Sequence, residues 1–297
     1  MKAYFVATFA AFFIALISGC KKDTESIDQH YVTAYSTDND FVSSGTLGRQ
    51  KIIQLPTGDY TYPVSQALLW VPHSYSADND KKKKQVYPLI INLYGQEQTG
   101  TNLQLLLKNH TMSEYIAQGF NANAVNPVDH KTYSFFVCSP QCPVLWGWSA
   151  PQVEVMLKEL QKKLPIDNSR IYITGFSAGG WGLWSCMTDD DKLTKQIAAI
   201  VPMSSAAADH PDKITNVDKY GIACLNVCGD QDAFYTNAVD YTNIINSDKP
   251  PIPAILNTLK GVGHSAWVQA YDPTWKQTNG LNIYEWMLQY KNKKGNH

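Results

Sequence analysis

From residue 66 onward, short runs of β-branched and aliphatic residues alternate with stretches whose apolar residues recur at helical spacing. This alternation narrows the fold more than any other property of the chain. ALLWVP, LIINLYG, FFVCSP, RIYITG, QIAAIVP, IACLNVCG and AILNTL read as strands. LQLLLKNHTMSEYIAQG reads as a helix between the second and third of these. Val153, Met156, Leu157, Leu160 and Leu164 fall on one helical face, with Pro151 near its start and Pro165 as its stop. LNIYEWMLQY closes the pattern as an amphipathic helix. Strands that alternate with helices imply an α/β fold with a mostly parallel central sheet and helices on both faces. In such sheets the chemistry gathers at the carboxyl ends of the strands.

The chain has 297 residues, 44% of them hydrophobic, which is enough to bury one large core. Its formal net charge of −1 offers nothing to attract nucleic acid. No CxxC pair or histidine-rich spacing suggests a metal, and no organic cofactor is implied. The lysine run 81–84 lies between two strand candidates and reads as a solvated loop.

The chain opens MKAYFVATFAAFFIALISGC. One lysine precedes an apolar run, Ala3 to Ile17, that is shorter than the roughly 20 residues needed to span a bilayer and suits an export signal. LISGC resembles a bacterial lipobox, which implies that Cys20 is acylated and that residues 1–19 are removed. The expected location is the cell envelope, held to the membrane through the N-terminal lipid. Residues 20–50 are polar and read as a tether, leaving 51–297 as the folded domain. The other five cysteines are an odd number, so at least one is unpaired within a single chain. Cys224 and Cys228 share one strand and are too far apart to bridge if it is extended.

ITGFSAGGWGLW, residues 173–184, contains Gly175-Phe176-Ser177-Ala178-Gly179 between a strand and a helix. The glycines permit a tight strand-to-helix turn that lifts the serine oxygen above the sheet, the nucleophile elbow of α/β hydrolases. A serine hydroxyl is a weak nucleophile at neutral pH and needs a base, and the base needs a group to orient it. In that fold the acid and then the histidine follow the serine. His210, His264 and His297 lie downstream of Ser177. His297 is terminal and His210 sits in polar surroundings, whereas His264 follows the last strand in the glycine-rich GVGHSAW, so it is the candidate base. The acid should leave the end of the preceding strand, where Asp230 and Asp232 both stand, and residue type alone leaves both open.

From LLWVPHSY to EWMLQY the chain resembles the compact esterase and "predicted peptidase" branch of the α/β hydrolases. That branch is related to carbohydrate esterase family one and to polyhydroxyalkanoate depolymerase-like enzymes. The resemblance maps the family's G-x-x-D acid segment onto Gly229 to Asp232, making Asp232 the acid. It also places the oxyanion hole, the pair of donors for the negative oxygen formed on attack, at the backbone N–H groups of Ala178 and Gln96. Relatives usually begin the second loop His-Gly; here it reads Tyr94-Gly95-Gln96.

SPQCPVLWGWSAP follows another strand end, which places Gln141, Trp146 and Trp148 near the rim of the site, while Trp267 follows His264 by three residues. Gln141, Trp148 and Trp267 are the candidate substrate contacts, since indoles stack on sugar or phenolic rings. Trp181 and Trp184 read as core. The segment between QIAAIVP and IACLNVCG is too short for a large cap domain, so the cleft is expected to be open. The reading is a lipid-anchored serine esterase acting on esters of carbohydrates. Its alternatives are a serine peptidase of the prolyl-oligopeptidase-like type and a non-catalytic binding lipoprotein, the latter requiring a missing triad member.

Overall fold

Strands that are apolar on both sides must be covered on both sides. Leu89, Ile91 and Leu93 point into one buried cluster while Ile90, between them, points into another; Ile171 and Ile173 divide from Tyr172 in the same way. The computed structural model describes residues 41, 43–189 and 191–292. The signal segment, Cys20, the tether as far as residue 40, and His297 lie outside the described residues.

The strands are β1 (Ser43–Leu47), β2 (Gln50–Gln54), β3 (Gln66–Trp70), β4 (Tyr87–Leu93), β5 (Asn123–Val125), β6 (Thr132–Ser134), β7 (Phe136–Pro140), β8 (Ile166–Phe176), β9 (Ala199–Met203), β10 (Ala223–Gly229) and β11 (Ile255–Leu259). Nine of them form one sheet in the order β1-β2-β3-β7-β4-β8-β9-β10-β11, and β5 pairs with β6 in a separate hairpin. Pairing is antiparallel from β1 through β3 to β7 and parallel from β7 to β11.

The helices are α1 (Ala77–Lys83), α2 (Met112–Ala117), α3 (Ala150–Lys163), α4 (Ala178–Thr188), α5 (Asp191–Thr194), α6 (Asn216–Lys219), α7 (Tyr235–Asn246), α8 (Ala266–Ala270) and α9 (Ile283–Leu288). Side chains of α3, α4 and α7 fill one buried cluster, and those of α2, α8 and α9 fill the other. Helix α3 presents Val153, Met156, Leu157 and Leu160 to the core as their spacing requires and ends at Lys163 before Leu164 and Pro165. Helix α9 starts at a capping box in which Asn282 and Glu285 each bond the other's backbone N–H.

Folded structure begins before residue 51. Strands β1 and β2 form a hairpin whose two-residue turn, Gly48-Arg49, has both φ angles positive (52° and 65°), as a twist-compatible tight turn requires. Arg49 ties the hairpin to the body through the carbonyl of Ile116 at 2.7 Å and the amide oxygen of Asn121 at 2.6 Å. Most of β1 is exposed, which is why its composition reads as a tether. The lysine run also differs from its reading as a loop: three of its four residues fall in α1, whose first turn holds Asp78 and Asp80, a distribution that matches the helix dipole.

LQLLLKNHTMSEYIAQG is not one helix. A 3₁₀ turn over Leu103–Leu107 is separated from α2 by Asn109 and His110, both left-handed at φ 63° and 56°. Thr111 caps α2 by accepting the N–H of Glu114, and the Glu114 carboxylate accepts the N–H of His110 at 2.6 Å. The Thr-x-x-Glu cap outcompetes continuation of the apolar period.

The crossing of β8, β4 and α4 is tightly packed, backbone against backbone. A Cβ on Gly175 would lie 2.4 Å from the carbonyl oxygen of Gly179, and one on Gly179 would lie 2.2 Å from that of Leu93. Gly179→Ala is therefore expected to cost about 1–3 kcal/mol or more in chemical denaturation, as overpacking against immobile backbone does. An unchanged denaturation midpoint would show that the helix can move away from β4 at little cost.

Candidate active site

Strand β8 ends between β4 and β9, and the residue that follows turns sharply to enter α4. Ser177 makes that turn with φ 53° and ψ −120°, a conformation that L-residues rarely adopt. Its N–H donates to the carbonyl of Met203 at 3.1 Å, and its own carbonyl accepts from Trp181 at 3.1 Å and Ala206 at 3.3 Å. The strained backbone is thus held from both sides, and the hydroxyl stands clear of the sheet.

His264 Nε2 lies 2.9 Å from Ser177 Oγ, and His264 Nδ1 lies 3.1 Å from each carboxylate oxygen of Asp232. An ionised carboxylate only accepts hydrogen bonds, so the imidazole proton belongs on Nδ1, leaving Nε2 to accept from the serine hydroxyl. Phe234 and Trp267 each meet the His264 ring edge-to-face, with centroids 5.2 Å and 5.5 Å away.

The Asp232 carboxylate is fully buried, and burial alone would raise its pKa. Hydrogen bonds from His264, the N–H of Phe234 and the hydroxyl of Ser204 outweigh that penalty and hold it below the usual carboxylate range. By linkage, a depressed carboxyl pKa stabilises the fold above the unfolded value, and that contribution is lost as pH falls through the folded one. Cys228 adds a further donor, its thiol 3.6 Å from Asp232 Oδ2; burial, then the charge on Asp232, pushes that thiol up to about 12, so it stays protonated. Asp230 faces elsewhere. It accepts the N–H of Gly261 at 2.8 Å and sits 3.4 Å from Lys260 Nζ, bracing the turn that leads to His264.

Ser204 and Cys228 escaped the sequence reading. Met203 pairs with Val227, so the next residues emerge side by side at the carboxyl ends of β9 and β10, beneath the acid. Ser204 has φ 42°, and its hydroxyl also accepts the N–H of Ala266 at 3.3 Å, tying α8 to the same point. Register between neighbouring strands was the missing signal. Among the described residues the five cysteines are free and buried.

The loop after β4 passes directly over Ser177: a Cβ on Gly95 would lie 3.3 Å from that of Ser177. Gln96 opens a single 3₁₀ turn and Ala178 opens α4, so neither N–H has a carbonyl partner within its own helix. Tyr94 is buried; its hydroxyl donates to Ser113 at 2.7 Å and its carbonyl accepts from Trp148 Nε1 at 3.3 Å. Tyr94 thus ties the loop to a polar network below it.

Two expected rim residues are elsewhere. Trp148 is 5% exposed and packs where a Cβ on Gly182 would strike it, so it is a buried support of the Tyr94 loop. Gln141 is 2% exposed, and its amide donates to the carbonyls of Gln98 and Asn102, both at 2.9 Å, bracing the same loop. Trp267 does reach the site, but one face stacks on Phe176 at 4.5 Å and its N–H is held by the carbonyl of Asn109 at 3.0 Å. Trp184 is core, as expected, whereas Trp181 is only half-buried. Among the described residues no cluster of His, Cys, Asp or Glu could hold a metal ion.

No family model matches this chain, and no curated protein matches it in sequence. In three dimensions it is similar to a thermostable esterase, with a TM-score of 0.60 at 20% identity, over 82% of this chain and 63% of that one. It thus spans less than two thirds of that esterase. It is also similar to the fluorophosphonate-binding serine hydrolase FphF of Staphylococcus aureus (TM-score 0.54, 14% identity, 80% of this chain and 98% of that one). A third similar structure is LpqC, a poly(3-hydroxybutyrate) depolymerase from Bordetella parapertussis (TM-score 0.51, 15% identity, 76% and 88%). The chain has the α/β-hydrolase fold.

A deshielded Nδ1 proton on His264 is expected in the NMR spectrum, retained in Asp230→Asn and lost or displaced in Asp232→Asn. A resonance that moves only with Asp230 would reassign the partner.

Proposed function

We propose that this chain is a serine hydrolase that cleaves carboxylic esters through an acyl-enzyme, with Ser177 as nucleophile, His264 as general base and acid, and Asp232 as the orienting charge. One observation carries the proposal: the imidazole stands 2.9 Å from the serine oxygen and 3.1 Å from a buried carboxylate. In this reading His264 takes the hydroxyl proton as Ser177 attacks the ester carbonyl, and the N–H groups of Gln96 and Ala178 receive the negative charge that develops on oxygen. His264 returns the proton to the leaving alcohol. Water then repeats the sequence and frees the acid. The machinery requires no cofactor.

The short connection between β9 and β10 supports esters on bulky or polymeric alcohols, the acetyl or feruloyl esters of carbohydrates among them. Between β9 and β10 the described chain forms only a 3₁₀ turn and α6, leaving no cap there to enclose a lipid tail. A peptidase would use the same three side chains and differs in protonating an amine.

Ser177→Ala is expected to fold normally and to reduce hydrolysis of a small aryl ester to background. Asp232→Asn is expected to lower kcat by about 10⁴-fold through loss of the correct tautomer, with Asp230→Asn far milder. Substantial turnover by purified Ser177→Ala would overturn the proposal. Better turnover of a matched peptide amide than of any ester would replace esterase with peptidase.

We also propose that the protein is exported and anchored to the envelope by acylation of Cys20, a reading supported by the LISGC segment alone. Incorporation of a fatty-acid analogue is expected in the native chain and not in Cys20→Ser. Equal labelling of both would exclude Cys20 as the acylation site.

A further inference from the structure

Of the eight tryptophans, Trp146 stands out by its exposure, 49% against the buried or half-buried state of the other seven. Solvent exposure of an indole is costly, and here it is built in by the backbone. Trp146 has φ 59°, a left-handed conformation that is an outlier for a bulky residue. The residues on either side are anchored inward. Cys142 is buried, with its thiol 3.2 Å from the carbonyl of Val144, and that carbonyl also accepts the N–H of Gly147 at 3.2 Å. Gly147 is needed for the turn, since a Cβ there would lie 2.7 Å from Val144 Cγ2 and 2.8 Å from Cys142 Sγ. Next, Trp148 is locked under the Tyr94 loop. Between two fixed points the chain thus turns Trp146 outward.

Among the described residues its ring meets one aromatic neighbour, Trp181, edge-to-face at 5.5 Å and 83°. Trp181 is half-buried against the core, and its backbone N–H donates to the carbonyl of Ser177, one helical turn away. One turn of α-helix is about 5.4 Å, so the backbone that carries Trp181 lies one turn from Ser177, and the loop that carries Trp146 also carries Trp148, which holds the Tyr94 carbonyl just before the Gly95 loop over Ser177. A rigid indole costs little entropy to use as a binding surface, because its position is set before a ligand arrives.

We propose that Trp146, braced by Trp181, is the ring-binding subsite of the hydrolase, stacking on a pyranose or phenolic ring of the ester and selecting ring-bearing over open-chain substrates. The shared chemistry is a flat or chair-shaped ring offering a C–H or π face to the indole. This inference rests on the serine-hydrolase reading, and it exchanges the role first expected of Trp148 for the neighbour two residues earlier.

The test compares two matched pairs of esters. Methyl cinnamate against methyl crotonate places the ring on the acyl side, and acetylated methyl xylopyranoside against acetylated glycerol places it on the alcohol side. Trp146→Ala is expected to lower the ring to open-chain ratio of kcat/KM about five- to tenfold in one pair, as loss of one aromatic stacking contact does. The pair that responds assigns the ring to the acyl or the alcohol side. Trp146→Phe is expected to restore most of the ratio, and equal thermal midpoints for the three proteins show that folding is not the cause. A ratio that moves less than about twofold in both pairs overturns the subsite while leaving the esterase reading intact. Hydrolysis of none of the four esters by the native protein overturns both.

Discussion

The arrangement depends on a backbone contact, the approach of the start of α4 to the ends of β4 and β8. Only glycine at 175 and 179 lets helix and strands come within the distances seen, since a methyl group at either position would sit inside a carbonyl oxygen. That approach forces Ser177 into its left-handed turn, points its oxygen away from the sheet and places the free N–H of Ala178 beside it. The rest of the site is arranged around that point. The β4 loop crosses above it with Gly95 against the serine, and β9 and β10 supply Ser204 and Cys228 below the acid. A serine held in strained backbone needs a surrounding structure that over-determines it. Here the carbonyls of Met203 and Ser177 and the amides of Trp181 and Ala206 do so.

Electrostatically, the centre is the Asp232 carboxylate. A fully buried charge is tolerated because it is given donors from four directions: an imidazole, a backbone N–H, a hydroxyl and a thiol. Those donors keep it ionised, and its ionisation sets which nitrogen of His264 carries the proton. The thiol of Cys228 is useful there only while protonated, and burial ensures that it is. Asp230, two residues earlier, shapes the approach of the histidine loop instead.

Legibility in the sequence followed the physics of each segment. The parallel strands were readable because both faces are buried and the apolar runs are continuous, and α3 because its apolar face keeps a helical period with prolines at both ends. Ser177 and His264 were readable because strand-turn-helix context and chain order leave few positions for them. Asp232 over Asp230 was not decided by residue type, and only the resemblance separated them. Strand β1 was missed because its side chains face solvent, so that its pairing rests on backbone and turn chemistry alone. The break at Asn109 and His110 was missed because the apolar period runs through it. The burial of Trp148 beside an exposed Trp146 was missed for the same reason: in Trp-Gly-Trp, loop conformation decides which indole is buried, and no periodicity reports it.

The proposed mechanism requires that Ser177 become covalently acylated. The most direct measurement is the mass of the protein quenched early in its reaction with an aryl ester, followed by mapping of any adduct. A one-acyl mass increase on the peptide that contains Ser177, which decays as product forms, is the expected result. Turnover without an adduct on that peptide, or with the acyl group on another side chain, would contradict it.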